Sequence, residues 1–239
     1  YIIANPPFNV SDYSINKAET HKWKYGIPPS GNANYAWLQH FVSKLAPFGT
    51  AGIVLANGSM SSEIATEGDI RKAMIEADLI DCMVSLPSQL FYNTQIPACL
   101  WFLARNKTET VKFRNRANEI LFIDARELGV MISRKQKELS ETDIAKIADT
   151  YHKWRSREQF ADYKDIAGFC KSANIQDIRK NNYILTPGRY IDFKEVEQDG
   201  IEFNEKMQKL TSMLSEQMAK AKDLDNQIIQ NLAKIGFRL

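Results

Sequence analysis

Residues 5–8 read Asn5-Pro6-Pro7-Phe8, directly after the apolar run Tyr1-Ile2-Ile3-Ala4. Adjacent prolines remove two backbone N–H donors and lock two φ angles, so the carbonyl oxygens beside them are held rigidly outward. Asn5 adds a side-chain carbonyl acceptor, while its amide nitrogen can anchor the loop. A rigid pair of acceptors suits a substrate amine with two hydrogens to donate. Phe8 sets a flat apolar face next to them, suited to stacking on a base. Together they describe a site for an exocyclic amino group on an aromatic ring, adenine N6 or cytosine N4. The plainer reading is a strand end followed by a proline turn, since Asn-Pro marks turns generally. The tetrapeptide alone does not separate the two.

A group placed immediately after a strand stands where open α/β sheets handle ligands, so the flanking elements matter. A long polar and aromatic loop, Asn9 to Gly31, follows, with Pro28 and Pro29 near its end. Loops beyond about 12–15 residues are usually functional or disordered. Asn32 is expected to cap a helix whose apolar face is Ala36, Trp37, His40, Phe41 and Leu45. Pro47 and Gly49 end it, and Ala51 to Ala56 reads as a strand. A second helix carries Ile70, Ala73, Met74 and Ala77 on one face. Leu79 to Leu86, Cys99 to Ala104 and Glu119 to Asp124 read as further strands. Strand and helix alternate at first, which predicts parallel crossovers and half of an open α/β sheet. The last two strands lack a helix between them and are expected to form an antiparallel hairpin at the sheet edge. Ser140 with Asp143 resembles a capping box for a helix with the stripe Ile144, Ile147, Ala148, Tyr151 and Trp154. Phe160 to Asp192 reads as irregular and contains the phrase Asn182-Tyr183-Ile184-Leu185-Thr186-Pro187-Gly188-Arg189-Tyr190.

The 239 residues suffice for one large domain or a domain with an appendage, and hydrophobic and charged contents of 44% and 25% are ordinary for a globular protein. The formal net charge of +2 neither demands nor excludes nucleic acid. Cys82, Cys99 and Cys170 lack metal-type spacing and read as reduced, buried thiols of a cytosolic protein. His21, His40 and His152 are scattered, so no metal site is expected. No apolar run has the length to span a bilayer, and no membrane association is expected. Tyr1 already stands inside a strand that looks buried, which leads to the expectation that an N-terminal portion precedes this chain.

Four segments carry a resemblance: the tetrapeptide, Gly31-Asn32-Ala33-Asn34-Tyr35-Ala36-Trp37, Leu55-Ala56-Asn57-Gly58-Ser59-Met60, and Gln89-Leu90-Phe91-Tyr92-Asn93-Thr94-Gln95-Ile96-Pro97. In order, over nearly the whole chain, they resemble the modification subunit of type I restriction–modification systems. The resemblance implies an adenine-specific N6 DNA methyltransferase that uses S-adenosylmethionine in a prokaryotic cytoplasm. It also implies a Rossmann-like methyltransferase sheet, of which this chain holds the C-terminal half. By the same resemblance, the side-chain oxygen of Asn5 and the carbonyl of Pro6 accept the N6 hydrogens, with Pro7 stiffening the turn. Phe8 stacks on the base after it leaves the duplex. No nucleophilic side chain is needed, so the cysteines have no catalytic part. Phe91 or Tyr92 is a second aromatic against the base, or simply core packing.

The loop residues Tyr13, Lys17, Lys22, Trp23, Lys24 and Tyr25 interleave basic and aromatic side chains, which suits DNA contact or a surface lid. Arg105, Lys107, Lys112, Arg114 and Arg116 read as a solvated hairpin turn. The glycine-rich turn for the cofactor is expected before this chain, and Gly49 and Gly52 do not replace it, because they lie between a helix and a strand. The chain by itself is therefore expected to be inactive.

From about Lys194 the composition shifts to charged residues, Gln, Met and Leu. Phe203, Met207, Leu210, Leu214, Gln217, Ala221, Leu224, Ile228, Asn231 and Ile235 recur at alternating steps of four and three, a coiled-coil seam. The expected division is residues 1–193, the C-terminal part of the catalytic domain, and residues 194–239, a partner-binding helix. A helix folded back on its own domain is the alternative. By the resemblance, the helix engages the specificity subunit, and a restriction subunit and DNA complete the assembly. Two rivals stand beside this reading: a protein-glutamine N-methyltransferase, whose corresponding aromatic is usually Tyr, and a non-catalytic assembly module.

Overall fold

The structure, a computed structural model, describes residues 1–11, 13, 23–92, 94–194 and 203–237. Two compact units divide the chain, residues 1–194 and 195–239. The first is built on a six-stranded sheet. In chain order its strands are β1 (Ile2–Ala4), β2 (Thr50–Ala56), β3 (Ile80–Ser85), β4 (Ala98–Ala104), β5 (Glu119–Asp124) and β8 (Cys170–Asn174). Helix α1 (Asn34–Lys44) joins β1 to β2, and α2 (Glu67–Glu76) joins β2 to β3. A small hairpin, β6 (Val130–Met131) with β7 (Lys137–Glu138), precedes α3 (Glu141–Arg155).

The spatial order is β1-β2-β4-β3-β5-β8. β1 runs parallel to β2 and β3 parallel to β5, whereas β4 is antiparallel to both β2 and β3. The expected edge hairpin of β4 with β5 is therefore incorrect. β4 is inserted at the centre of the sheet, and β5 lies on the far side of β3. The physical reason lies in β4 itself, Ala-Cys-Leu-Trp-Phe-Leu-Ala, which is apolar on both faces and so belongs between two neighbours. One line across the sheet, Ala4–Ile53–Trp101–Met83–Phe122, follows the register. Its side chains from Ile53 onward enter a core shared with Tyr35, Leu38 and Val42 of α1 and Ile70 and Met74 of α2. On the opposite face Cys82, Val84, Leu121 and Ile123 pack with Tyr151 and Trp154 of α3.

Several local expectations need correction. α1 turns Tyr35, Leu38, Val42 and Leu45 into the core, while His40 is exposed and Trp37 and Phe41 stack on each other at the half-buried flank. The cap position is Ala33 rather than Asn32, with no side-chain cap bond, and Asn32 just before it accepts the Asn34 N–H at 3.0 Å. In α2 Ile70 and Met74 are buried as expected, but Ala77 is exposed and Arg71 is buried instead. Its guanidinium donates to the carbonyls of Ser62 at 2.6 Å and Tyr183 at 2.8 Å and pairs with Glu63, which ties the phrase around Tyr183 to the loop after β2. β1 was expected to be buried. Ile2 packs on the core, but Tyr1 is 98% and Ile3 94% exposed, because among the described residues nothing covers that end of the α3 face.

The stretch expected to be irregular contains β8 (Cys170–Asn174), antiparallel to β5, and α4 (Ile175–Lys180). An edge strand needs few apolar residues, and Cys-Lys-Ser-Ala-Asn shows no alternation to find. α4 starts where the Asn174 side chain accepts the N–H groups of Gln176 and Asp177. The capping box of α3 is present in both directions, Asp143 N–H to Ser140 and Ser140 N–H to Asp143.

The basic run after β4 is not a solvated turn. Lys107 is buried and donates to Asp78 and to the carbonyls of Ile80 and Glu119, and Arg105 donates to the Leu45 carbonyl. Arg114 donates to the Trp154 carbonyl at 2.6 Å and pairs with Glu119, and only Lys112 is left as an exposed cation without such a bond. Arg116 is buried against Asp81, at 2.8 and 3.3 Å, and the Tyr151 hydroxyl donates to the same carboxylate at 2.6 Å. Because β5 passes to the far side of β3, the connection must cross the start of β3, and these cations meet the polar groups there. Burial first, and the Asp81 charge second, push the Tyr151 hydroxyl well above its ordinary range, so it remains a donor. Tyr151→Phe is expected to cost about 1.5–3 kcal/mol, the worth of a hydrogen bond to a charged group. Urea unfolding checks this, and a change within about 0.5 kcal/mol would place the bond among surface-like interactions.

All three cysteines are buried free thiols, and burial pushes Cys99 up to about 12 and Cys82 well above its usual value. Among the described residues no cluster of His, Cys, Asp and Glu could hold a metal ion, and no helix is long and apolar enough to cross a membrane. The second unit contains α5 (Phe203–Lys234), a helix of 32 residues.

Candidate active site

β1 delivers Asn5 at its C-terminal end, one residue past the pairing of Ala4 with Ile53 of the parallel strand β2. Pro6 turns inward and is buried, whereas Asn5 and Pro7 stay exposed. Phe8 is half-buried and rests against the core on the α3 face of the sheet. The four residues line an open cleft of about 360 Å³ together with Phe91, Tyr92 and Thr94. Residues of two distant segments, after β1 and between β3 and β4, thus converge on one surface.

The second segment is held firmly. Phe91 and Thr94 form an antiparallel bridge, and Thr94 Oγ1 accepts the Ile96 N–H at 3.1 Å. The Lys137 N–H donates to the Gln89 carbonyl and Gln136 Nε2 to that of Leu90, which ties the turn to the β6–β7 hairpin. On its other side the Asn57 N–H donates to the Pro97 carbonyl at 3.1 Å. Phe91 meets Phe8 edge to face, with centroids 6.2 Å apart at 89°. Such a T-shaped contact steadies the Phe8 ring without covering it. Tyr92 is 89% exposed at the mouth. Phe91 is thus both core packing and cleft wall, and Tyr92 is the ring left open to a ligand. Thr94 was not foreseen; a hydroxyl two residues after a pair of aromatics is too common a pattern to single out.

Of the basic loop, Lys17 and Lys22 lie outside the described residues. Trp23 and Lys24 do not line the cleft. Lys24 is exposed with its ammonium 5.7 Å from the Tyr25 ring, and the Tyr25 N–H and Gly26 carbonyl bond to Gln39 of α1. Along α5, Phe203, Met207, Leu210, Leu214, Leu224 and Ile228 are all exposed.

Chemically, the cleft offers carbonyl acceptors beside flat rings, which fits an amino-bearing aromatic base. It does not by itself fit an adenosyl cofactor. No Gly-x-Gly occurs anywhere in the chain; Gly49 precedes β2, and Gly52 lies within it against the Phe102 ring.

A family model described as N-6 DNA Methylase matches residues 1–199. The chain is 50% identical over 238 residues to the type I restriction enzyme HindI methylase subunit of Haemophilus influenzae, covering 99% of this chain and 52% of that protein. It is 41% identical over 244 residues to the MjaIX methylase subunit of Methanocaldococcus jannaschii, covering 99% and 42%. Among solved structures, a type I restriction-modification methyltransferase subunit from Streptococcus thermophilus superposes with a TM-score of 0.66 at 28% identity, over 80% of this chain and 37% of that one. The EcoKI M protein shares the fold with a TM-score of 0.56 at 17% identity, over 98% and 53%. The chain spans about half, or less, of the length of the relatives it matches.

Proposed function

The chain belongs to the N-6 DNA methylase family, and from that membership we propose that it is the C-terminal part of a type I modification subunit that methylates adenine N6 in DNA. The observation that carries the reading is the cleft in which Asn5 and Pro6 stand beside Phe8 and Tyr92. An adenine flipped from the duplex enters edge-first, because N6 is otherwise occupied by pairing. The Asn5 side-chain oxygen and the Pro6 carbonyl accept the two N6 hydrogens, and Phe8 and Tyr92 offer faces to the ring. Holding both hydrogens in place shifts electron density onto the N6 lone pair and orients it for attack. S-adenosylmethionine, when bound by the complete enzyme, supplies an electrophilic methyl group on a sulfonium. One N6 proton must then leave, and the open mouth of the cleft gives it a route to water.

The specificity subunit is the partner assigned to α5, whose exposed seam residues have no apolar duty in the helix itself. A restriction subunit would join the same assembly, and the setting is a prokaryotic cytoplasm. Lys17, Lys22, Trp23 and Lys24 are assigned to the DNA flanking the flipped base.

Phe8 provides the test of base capture. Phe8→Ala in the complete enzyme is expected to weaken capture of the flipped adenine by about 1–3 kcal/mol, the worth of one stacked base. A 2-aminopurine at the target position reports capture through its fluorescence. An unchanged flipping signal and an unchanged KM would remove Phe8 from the base site.

A further inference from the structure

The tetrapeptide follows β1, a three-residue strand paired in parallel with β2. Past Ala4 the segment leaves that ladder, so its placement depends on what holds its exit. Immediately after Phe8 stands Asn9, with φ at 53°, in the left-handed region. Asparagine enters this region more readily than most residues with a Cβ, and here its surroundings hold it there. Here the surroundings are Asn34, the first residue of α1, only 2% exposed. The Asn9 N–H donates to Asn34 Oδ1 at 3.2 Å, and Asn34 Nδ2 donates back to Asn9 Oδ1 at 2.9 Å. Beside this reciprocal pair the Ala33 N–H donates to the Val10 carbonyl at 3.0 Å.

The helix that holds the clamp is itself rooted. Tyr35, the next residue, is buried and donates its hydroxyl to the Ser59 carbonyl at 2.6 Å, while Leu38 and Val42 enter the core. The Asn34 N–H is taken by Asn32 Oδ1 at 3.0 Å, and the Asn34 side-chain oxygen and nitrogen both bond to Asn9. We propose that Asn9 and Asn34 are positioning residues, a paired-amide clamp that fixes the exit of the Asn5–Phe8 segment and so sets the acceptors and the Phe8 ring in register with the base. This rests on the reading of the cleft as the methyl-transfer site. It accounts for a buried amide at a helix start, where a side chain facing the core would ordinarily be apolar.

Asn34→Asp tests it in the complete methylase. The variant is isosteric, keeps the acceptor for the Asn9 N–H, and sets an oxygen against Asn9 Oδ1 in place of the donor. A carboxylate in the first turn suits the α1 dipole, so the helix is not weakened at its start. Single-turnover methyl transfer is expected to slow by about 10- to 100-fold, as for a misplacement near 1 Å. Duplex affinity should stay within about twofold, the split that separates a lost transition-state geometry from lost binding. Should N34D lower the thermal midpoint, Asn9→Gly decides. It keeps the backbone bond, accepts the positive φ without strain and removes only the side-chain acceptor. Its transfer rate must fall while its midpoint holds. Wild-type rates in N34D and N9G, with N5A inactive, would overturn the clamp and leave the site reading intact. Rate, affinity and midpoint falling together in both variants would also overturn it, reducing the pair to a structural contact. An active N5A would remove the site reading and the clamp with it.

Discussion

Asn5→Ala in the complete enzyme is expected to cut single-turnover methyl transfer by about 10²–10³-fold while duplex binding survives. On the proposed reading Asn5 supplies one of two acceptors for the N6 hydrogens, and it stands exposed at the cleft rather than in the core. Its loss therefore removes an interaction aimed at developing charge without opening a cavity. The remaining Pro6 carbonyl cannot turn to compensate, because two prolines in succession fix the backbone around it. Asn5→Asp should restore an acceptor but place a negative charge beside the sulfonium, so it separates hydrogen bonding from electrostatics. An Asn5→Ala loss below about tenfold, roughly 1.4 kcal/mol, would remove Asn5 from the chemistry.

The second large effect concerns α5. Replacing Leu210, Leu214 and Leu224 by Asp is expected to abolish assembly with a specificity subunit while residues 1–194 stay folded. Each leucine in a helix seam contributes about 1.5–3 kcal/mol when buried, before the cost of burying a charge is counted. All three are exposed in the structure, and residues 195–239 form a compact unit of their own. Truncation before Lys194 should act in the same way. Co-purification reads the assembly, and circular dichroism reads the fold. A mutant that unfolds would assign the helix to its own domain's core. One that stays folded and still co-purifies would show that the seam is not the interface.

What was legible in the sequence was chiefly local. Ser140 and Asp143 lie three residues apart, and their box depends on nothing else. The strands β2 to β5 followed from apolar runs that stop at Asn57, Pro87, Arg105 and Asp124, with Asp81 and Ser85 the polar residues inside β3. Strand order was not legible, because it depends on which edges pair, and β4 looks like an edge strand only while its neighbours are unknown. α1 was misread because Trp37 and Phe41 are large and apolar, yet they stack on each other at the flank while the smaller Leu38 and Val42 fill the core. Lys107 and Arg116 looked solvated because a cation's burial depends on a distant carboxylate, here Asp78 and Asp81.

At the cleft, the tetrapeptide and the pair Phe91-Tyr92 could each be singled out from residue types and resemblance. Their convergence could not, since it follows from the β1–β2 pairing and the turn before β4. Asn9 and Asn34 gave one readable sign, an asparagine directly after Phe8 and another at the start of a helix. Nothing in their 25-residue separation marks them as partners.

The most direct measurement is the identity of the methylated product. Complete enzyme, assembled with its specificity subunit, is incubated with isotopically labelled S-adenosylmethionine and an unmethylated duplex, and the digested nucleosides are separated by mass spectrometry. The predicted result is label in N6-methyladenine and in no other nucleoside. Label in N4-methylcytosine, label on a protein glutamine amide, or no transfer by an assembled and DNA-bound enzyme would each contradict the adenine reading of the Asn5-Pro6-Pro7-Phe8 cleft.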